Sequence, residues 1–109
     1  MIVKEAKRIR NELNMVEGIT FKVKSKRTKT PKIEIQITNI DENHIKEEIN
    51  GYGLDCLLKE ETIKQIIAAT NKNQEKDQYD NYNYLVYIYT NYNGDGYGDW
   101  THWVAYTHY

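Results

Sequence analysis

Asn91, Asn93 and Asp95 alternate along the chain, Gly96 follows and Asp99 lies three residues on. That is the spacing of a calcium loop: oxygen ligands at alternate positions, a glycine for the sharp turn and a ninth-position ligand. The pattern departs from such a loop where the chemistry is most demanding. Its first ligand is an amide, and its twelfth position is His102 in place of a bidentate glutamate. The same residues, read as Asn93-Gly94-Asp95-Gly96, make a hairpin turn, because Gly and Asn tolerate the positive φ that tight hairpins require. His102 and His108 fall on one face of a strand, with Asp99 on the other, so a metal there would need a third ligand from elsewhere, such as His44. Cys56 with a histidine would be a nucleophile pair, yet it sits beside Leu57 and Leu58 and reads as a small buried hydrophobe. The sequence has no phosphate loop and no paired catalytic motif. The expectation is a protein that is not an enzyme, with no catalytic residue, no metal and no cofactor.

Two other groups of residues suit binding. The segment 81–103 holds Tyr82, Tyr84, Tyr87, Tyr89, Tyr92 and Tyr97 together with Trp100 and Trp103. Its period of two sets Tyr82, Tyr84, Val86 and Ile88 on one face and Leu85, Tyr87 and Tyr89 on the other; further on, Thr101, Trp103 and Ala105 oppose Trp100, His102, Val104 and Tyr106. Closing the turn on Gly94-Asp95 pairs residues whose numbers sum to 189: Val86 with Trp103, Tyr89 with Trp100, Tyr87 with His102. One aromatic face has helices to cover. The other, with Tyr87, Tyr89, Trp100, His102 and Tyr106, is the candidate partner-binding surface, since Tyr and Trp bury large rigid area at small entropic cost. The second group is basic. Lys22, Lys24, Lys26, Arg27 and Lys29, with Lys32 behind them, form a cationic finger able to contact phosphates, the alternative nucleic-acid-binding site.

The elements that must position these groups follow from periodicity. Ile2, Ala6, Ile9 and Leu13 recur at helical spacing over 2–14, and Gly18 is a plausible stop. Ile19, Phe21 and Val23 alternate with Thr20, Lys22 and Lys24 in a first half-buried strand; after a polar loop ending at Pro31, Ile33, Ile35 and Ile37 alternate with Glu34, Gln36 and Thr38 in a second. The segment 39–50 suits a short helix that Asp41 caps, with Ile45 and Ile49 four apart. Leu58, Ile63, Ile66 and Ile67 stripe another helix, and 71–81 is a polar loop. The predicted fold class is α+β: a single domain, 1–109, in the order α-β-β-α-α-β-β, with one four-stranded antiparallel sheet packed on helices.

Charge is unevenly placed. Residues 1–32 carry ten Lys/Arg and three Glu, net +7; residues 33–109 carry five Lys and thirteen Asp/Glu, net −8; the sum is the −1 of the whole chain. Such asymmetry marks a nucleic-acid or partner surface, or two faces that attract each other within the fold. With no apolar run near the length of a span, no charge-free leader and a lone cysteine, the expected setting is cytoplasmic, without membrane association.

The first sixty or so residues carry a further pattern. "VKEAKRIRNEL", then "GITFKVKSKR", then "KIEIQITN" and "INGYGLDCL" resemble a small domain associated with large polyvalent proteins of phages and conjugative elements. Ala6, Ile9, Arg10, Leu13, Gly18, Phe21, Val23 and Ser25 match its helix-and-strand motif, as does Asp55. "ITNIDEN" and the tyrosine-rich hairpin depart from it. The matching motifs are structural, so the resemblance implies a context and transfers no catalytic residue. That context is a phage or mobile-element binding protein in the host cytoplasm, of the anti-CRISPR or antirestriction inhibitor kind. Its implied partner is a host protein or a nucleoprotein defence complex, with nucleic acid itself the alternative, and the chain acting as a monomer or homodimer.

Overall fold

The computed structural model describes residues 2–51, 53–79 and 81–92, and the backbone alone of 103–106. The order is α1 (Ile2–Leu13), β1 (Ile19–Lys26), β2 (Lys32–Ile40), a single 3-10 turn (Glu42–His44), α2 (Leu54–Leu57), α3 (Glu60–Asn71), β3 (Leu85–Thr90) and β4 (Trp103–Tyr106). Among the described residues, no helix is long and apolar enough to cross a membrane. Helix α1 forms where its apolar stripe predicts: Ala6, Ile9 and Leu13 are its buried residues. The helix expected over 39–50 shrinks to the 3-10 turn. Asp41 does cap it, its side chain accepting from the Asn43 amide, but Ile45 leaves the helix and bridges to Leu58. Two isoleucines four apart are too little apolar surface to hold a helix whose other residues are polar.

The expected four-stranded antiparallel sheet is corrected by the pairing. The sheet is mixed, in the order β1-β2-β3-β4. β1 and β2 are antiparallel, but β2 and β3 run parallel, Lys32 to Ile37 beside Leu85 to Thr90. The three strands with described side chains thus form a mixed sheet, to which the short β4 backbone adds at the β3 edge. The cause lies in the connection. A tight hairpin reverses direction, whereas the long stretch from β2 to β3 carries α2 and α3 and returns the chain to the end of the sheet from which β2 began. Period-two alternation is the same for either direction, so the pattern of apolar residues could not settle it. The β3–β4 register is corrected too. Tyr87 faces Tyr106 and Tyr89 faces Val104, a pairing sum of 193 in place of 189. The Gly94-Asp95 turn, like the rest of 93–102, lies outside the described residues.

All helices with a buried stripe share one core with one side of the sheet. Phe21, Val23, Ile33, Ile35, Ile37, Val86 and Ile88 meet Ala6, Ile9 and Leu13 of α1, Leu54 and Leu57 of α2, and Ile63 and Ile66 of α3. Ile33, Ile35 and Ile37 have no exposed surface at all, as expected for a strand with neighbours on both edges. The β1–β2 register slips between Thr20 and Phe21. This bulge lets Ile37 and Ile40, three residues apart, both point into the core. Where α1 hands over to β1, Gly18 takes φ +82°, and a Cβ there would meet Asp41 Cβ at 2.9 Å. His44 closes the same corner, its Nε2 donating to the Glu17 carbonyl at 2.6 Å, with Nδ1 2.8 Å from Thr62 Oγ1.

A charged clamp ties α1 to α3 and β3. Arg8 donates to Glu5 through Nε at 2.7 Å and Nη2 at 2.8 Å, and Nη2 also reaches the Ala69 carbonyl at 3.0 Å. Asn73 donates to Oε1 of the same carboxylate. The Tyr84 hydroxyl lies 2.6 Å from Glu5 Oε2 and 3.0 Å from the Thr70 carbonyl; with one proton to give, it serves the carboxylate. The Arg8 hydrogen bonds, followed by those from Tyr84 and Asn73, hold the Glu5 carboxyl at about 2, against its ordinary 4.5, in spite of burial. Burial, with the Glu5 anion beside it, pushes the Tyr84 phenol up.

The sign of the linkage is therefore fixed. A carboxyl depressed in the folded state stabilises the protein fully above its unfolded value, and that contribution is lost as pH falls from about 4.5 towards 2. Glu5→Gln is expected to flatten this acid limb in a urea titration series between about pH 5 and 2. Tyr84→Phe is expected to cost about 1–2 kcal/mol at neutral pH by removing one charge-assisted hydrogen bond.

Candidate functional site

The side of the sheet away from the helices is set by the same alternation that makes the core. β1 turns Lys22, Lys24 and Lys26 outward, and all three are exposed. β2 turns out Lys32, Glu34, Gln36 and Thr38, and β3 turns out Leu85, Tyr87 and Tyr89, all of them partly exposed. Register then sorts them into rows across the sheet. Lys26, Lys32 and Leu85 form one row, Lys24, Glu34 and Tyr87 the next, and Lys22, Gln36 and Tyr89 the third. The lysine column of β1 and the tyrosine column of β3 stand two strand spacings apart, about 10 Å, with polar β2 side chains between them.

Within this face the tyrosines are ordered. The rings of Tyr87 and Tyr89 stack at 5.2 Å between centroids with 23° between planes, an offset geometry that aromatic pairs favour. Lys32 Nζ lies 5.1 Å from the Tyr87 centroid, a cation–π contact. Lys32, on β2, lies in the row before that of Tyr87; Tyr89, on β3, lies in the row after, so the three run diagonally from β2 onto β3. Glu34 is the single acid among the outward residues of these three strands. Lys26 and Lys32 hold it at 3.1 Å and 3.6 Å. Lys22, Lys24, Lys26 and Lys32 against Glu34 leave the face at +3. These pairs are solvent-facing and contribute little to stability, but they fix where the lysine heads sit.

Of the residues expected to bind, the structure brings Lys22, Lys24 and Lys26 together with Tyr87 and Tyr89 on one surface. In sequence they belong to separate hairpins and stand as alternatives. Arg27 and Lys29 are exposed on the loop that joins β1 to β2, at the end of the lysine column. Tyr106 stands opposite Tyr87 by backbone register. Trp100 and His102 lie outside the described residues, as does the calcium-like loop from Asn93 onward. Sequence reasoning placed Lys32 with the basic loop and Gln36 on the outer side of β2, but did not set either beside the β3 tyrosines. That neighbourhood follows only once β2 is paired with β3.

A second feature is a cleft of about 680 Å³ between the start of α1, the end of α3 and the approach to β3, lined by residues that include Ile2, Glu5, Arg8, Pro31 and Tyr84. Glu5, Arg8, Asn73, Asn83 and Tyr84, which line it, are engaged with one another or with nearby backbone groups. Both Glu5 oxygens accept from Arg8, one also from Asn73 and the other from Tyr84. Asn83 is likewise held, accepting from the Glu75 amide and donating to the Asn73 carbonyl. Glu5 and Tyr84 are also shifted away from neutrality in opposite senses, the reverse of what acid–base chemistry near pH 7 requires. The cleft is the outer wall of the structural clamp.

Comparison with protein-family models, with curated proteins and with solved structures found no match.

The division between core and open face has a direct test in stability. Ile35→Ala is expected to cost about 2–5 kcal/mol in chemical denaturation. Lys22→Ala combined with Lys24→Ala is expected to stay within about 0.5 kcal/mol of the parent chain.

Proposed function

We propose that the chain is a non-enzymatic nucleic-acid-binding protein that works through the open face of its sheet. The observation that carries this reading is the convergence, on one surface, of a lysine column and a stacked tyrosine pair, with the single acid between them already held by two lysines. Phosphates supply the charge that a +3 face attracts, and counterion release makes that attraction a large share of the binding free energy. A basic strand or an aromatic strand, taken singly, would have a structural explanation. Their alignment in register is what a ligand carrying both anionic and flat aromatic groups would use.

The mobile-element inhibitor role implied by the sequence resemblance uses the same tyrosines but needs a different partner. A protein partner would be recognised by ring burial, and the lysine column would matter little to it. Within the present geometry the lysines occupy half of the face, which favours the nucleic-acid reading.

The test is fluorescence anisotropy with labelled oligonucleotides across a salt series. The parent chain is expected to bind at low salt and to weaken steeply as salt rises. Lys22→Ala/Lys24→Ala/Lys26→Ala is expected to lower affinity for every sequence and to reduce the magnitude of the log–log salt slope by about 2, at roughly 0.7 for each phosphate no longer neutralised. Absence of binding at low salt, or a slope that the triple variant leaves unchanged, overturns the reading.

A further inference from the structure

Resting on that nucleic-acid reading, we infer that the phosphate backbone of the ligand runs along the outer edge of β1, where Arg10 of α1 joins Lys22 and Lys24 as a phosphate-binding residue. Among the described residues, β1 has β2 on one side and no strand on the other. At that outer edge Arg10 Nη2 donates to the Val23 carbonyl at 2.8 Å. Val23 stands between Lys22 and Lys24 and turns its side chain into the core, while theirs are exposed. The guanidinium is therefore anchored between the two lysines along the strand, although it comes from the helix side of the sheet.

The charges of α1 are sorted by flank. Glu5, Arg8 and Glu12 follow one another at helical spacing, and Arg8 pairs with both acids. This flank faces α3, through Arg8 to the Ala69 carbonyl and through Lys72 to Glu12. Both acids of the helix are thereby engaged on the α3 side. Lys7 and Arg10 are neighbours on the helix surface, being three apart. They lie across the buried stripe of Ala6, Ile9 and Leu13 from those acids, and both are exposed. Among the described residues, none of Lys7, Arg10, Lys22 and Lys24 is paired with an acid. The excess of positive charge over residues 1–32 thus gathers around one strand edge, and Arg27 and Lys29 continue it on the loop beyond Lys26.

The chemistry of this edge suits a repeating phosphate. An arginine fork presents its N–H groups in a plane that matches two oxygens of one phosphate. Arg10 uses one N–H on Val23, which fixes the fork at the strand edge and reduces the entropy lost when an anion binds. Lys22 and Lys24, about 7 Å apart along the strand, add point charges on the open side of the same edge. The edge lies open along its length, so the cations form a row that a phosphodiester chain can follow. Such contacts position the ligand and read no base.

The test uses the full chain in an anisotropy salt series, with a labelled oligothymidine of about ten nucleotides and an abasic strand of the same length. Arg10→Gln is expected to reduce the magnitude of the log–log salt slope by about 0.7, the value for one phosphate contact on a single strand. The reduction is expected to be the same on both probes, because the bases take no part. Arg10→Lys keeps the charge without the fork; it is expected to keep the parent slope with about two- to tenfold lower affinity, the worth of one hydrogen bond. A folding defect lowers the active fraction and leaves the slope where it was, so the slope separates contact from destabilisation. A slope that Arg10→Gln leaves unchanged, while the triple lysine variant lowers it, overturns the inference and leaves the lysine-based reading standing. Displacement of the strand by polyglutamate as readily as by an equal charge of unlabelled oligothymidine assigns the edge to an acidic peptide and also overturns the inference. Failure of both probes to bind at low salt overturns the inference and the reading together.

Discussion

The parallel pairing of β2 with β3 is the constraint on which the rest of the molecule depends. It sets Ile33, Ile35 and Ile37 beside Val86, Ile88 and Thr90 on one side, and α1, α2 and α3 close over that side. The same pairing decides what meets on the other side. A slip of one residue would exchange the two faces, sending the β3 tyrosines towards the helices and Val86 and Ile88 into water. Burial of the isoleucine row forbids that, since each such side chain is worth about 1.5–3 kcal/mol of transfer free energy. The arrangement of the outer face is thus a by-product of the register that buries the isoleucines.

Much of this was legible in the sequence, and the part that was not has a definite cause. The stripe of α1, the inward isoleucines of β2 and the inward set Val86 and Ile88 of β3 follow from periodicity, because burial on one side leaves a repeat in the residues themselves. Strand direction leaves no such trace. Leu85–Thr90 alternates in the same way beside a parallel or an antiparallel neighbour, and only the helix-bearing connection after Ile40 pointed to the parallel choice. The 39–50 segment misleads for a related reason: Ile45 and Ile49 have helical spacing, but Ile45 gains more by bridging to Leu58 than an isolated turn could return. For the site, the lysines and the tyrosines were both visible as residue types. Their meeting was not, because it depends on two strands that are far apart in sequence lying in one sheet.

Among the described residues, the large ionisation shifts belong to architecture. Glu5, Arg8 and Tyr84 join elements that are distant along the chain, and their shifts all favour the charge state in which the network is complete: carboxylate, guanidinium and neutral phenol. Desolvation opposes the carboxylate, and hydrogen bonds from Arg8, Tyr84 and Asn73 outweigh it. A clamp of this kind holds α1 against α3 and the start of β3, so it braces the core side of the strand whose other side carries Tyr87 and Tyr89.

The open face shows how a small sheet accommodates rings on its outer side. Two stacked tyrosines cover part of each other, and the Lys32 ammonium lies against one of them while it also reaches Glu34. Glu34 would repel a phosphate if it stood alone in the middle of the face. Held by Lys26 and Lys32, it instead fixes two cations near the ring column. The lysines of β1 repel one another along their column, a cost that an approaching polyanion relieves and that added salt screens. The face therefore keeps an uncompensated cationic column on β1 beside rings that are already packed against each other and against Lys32.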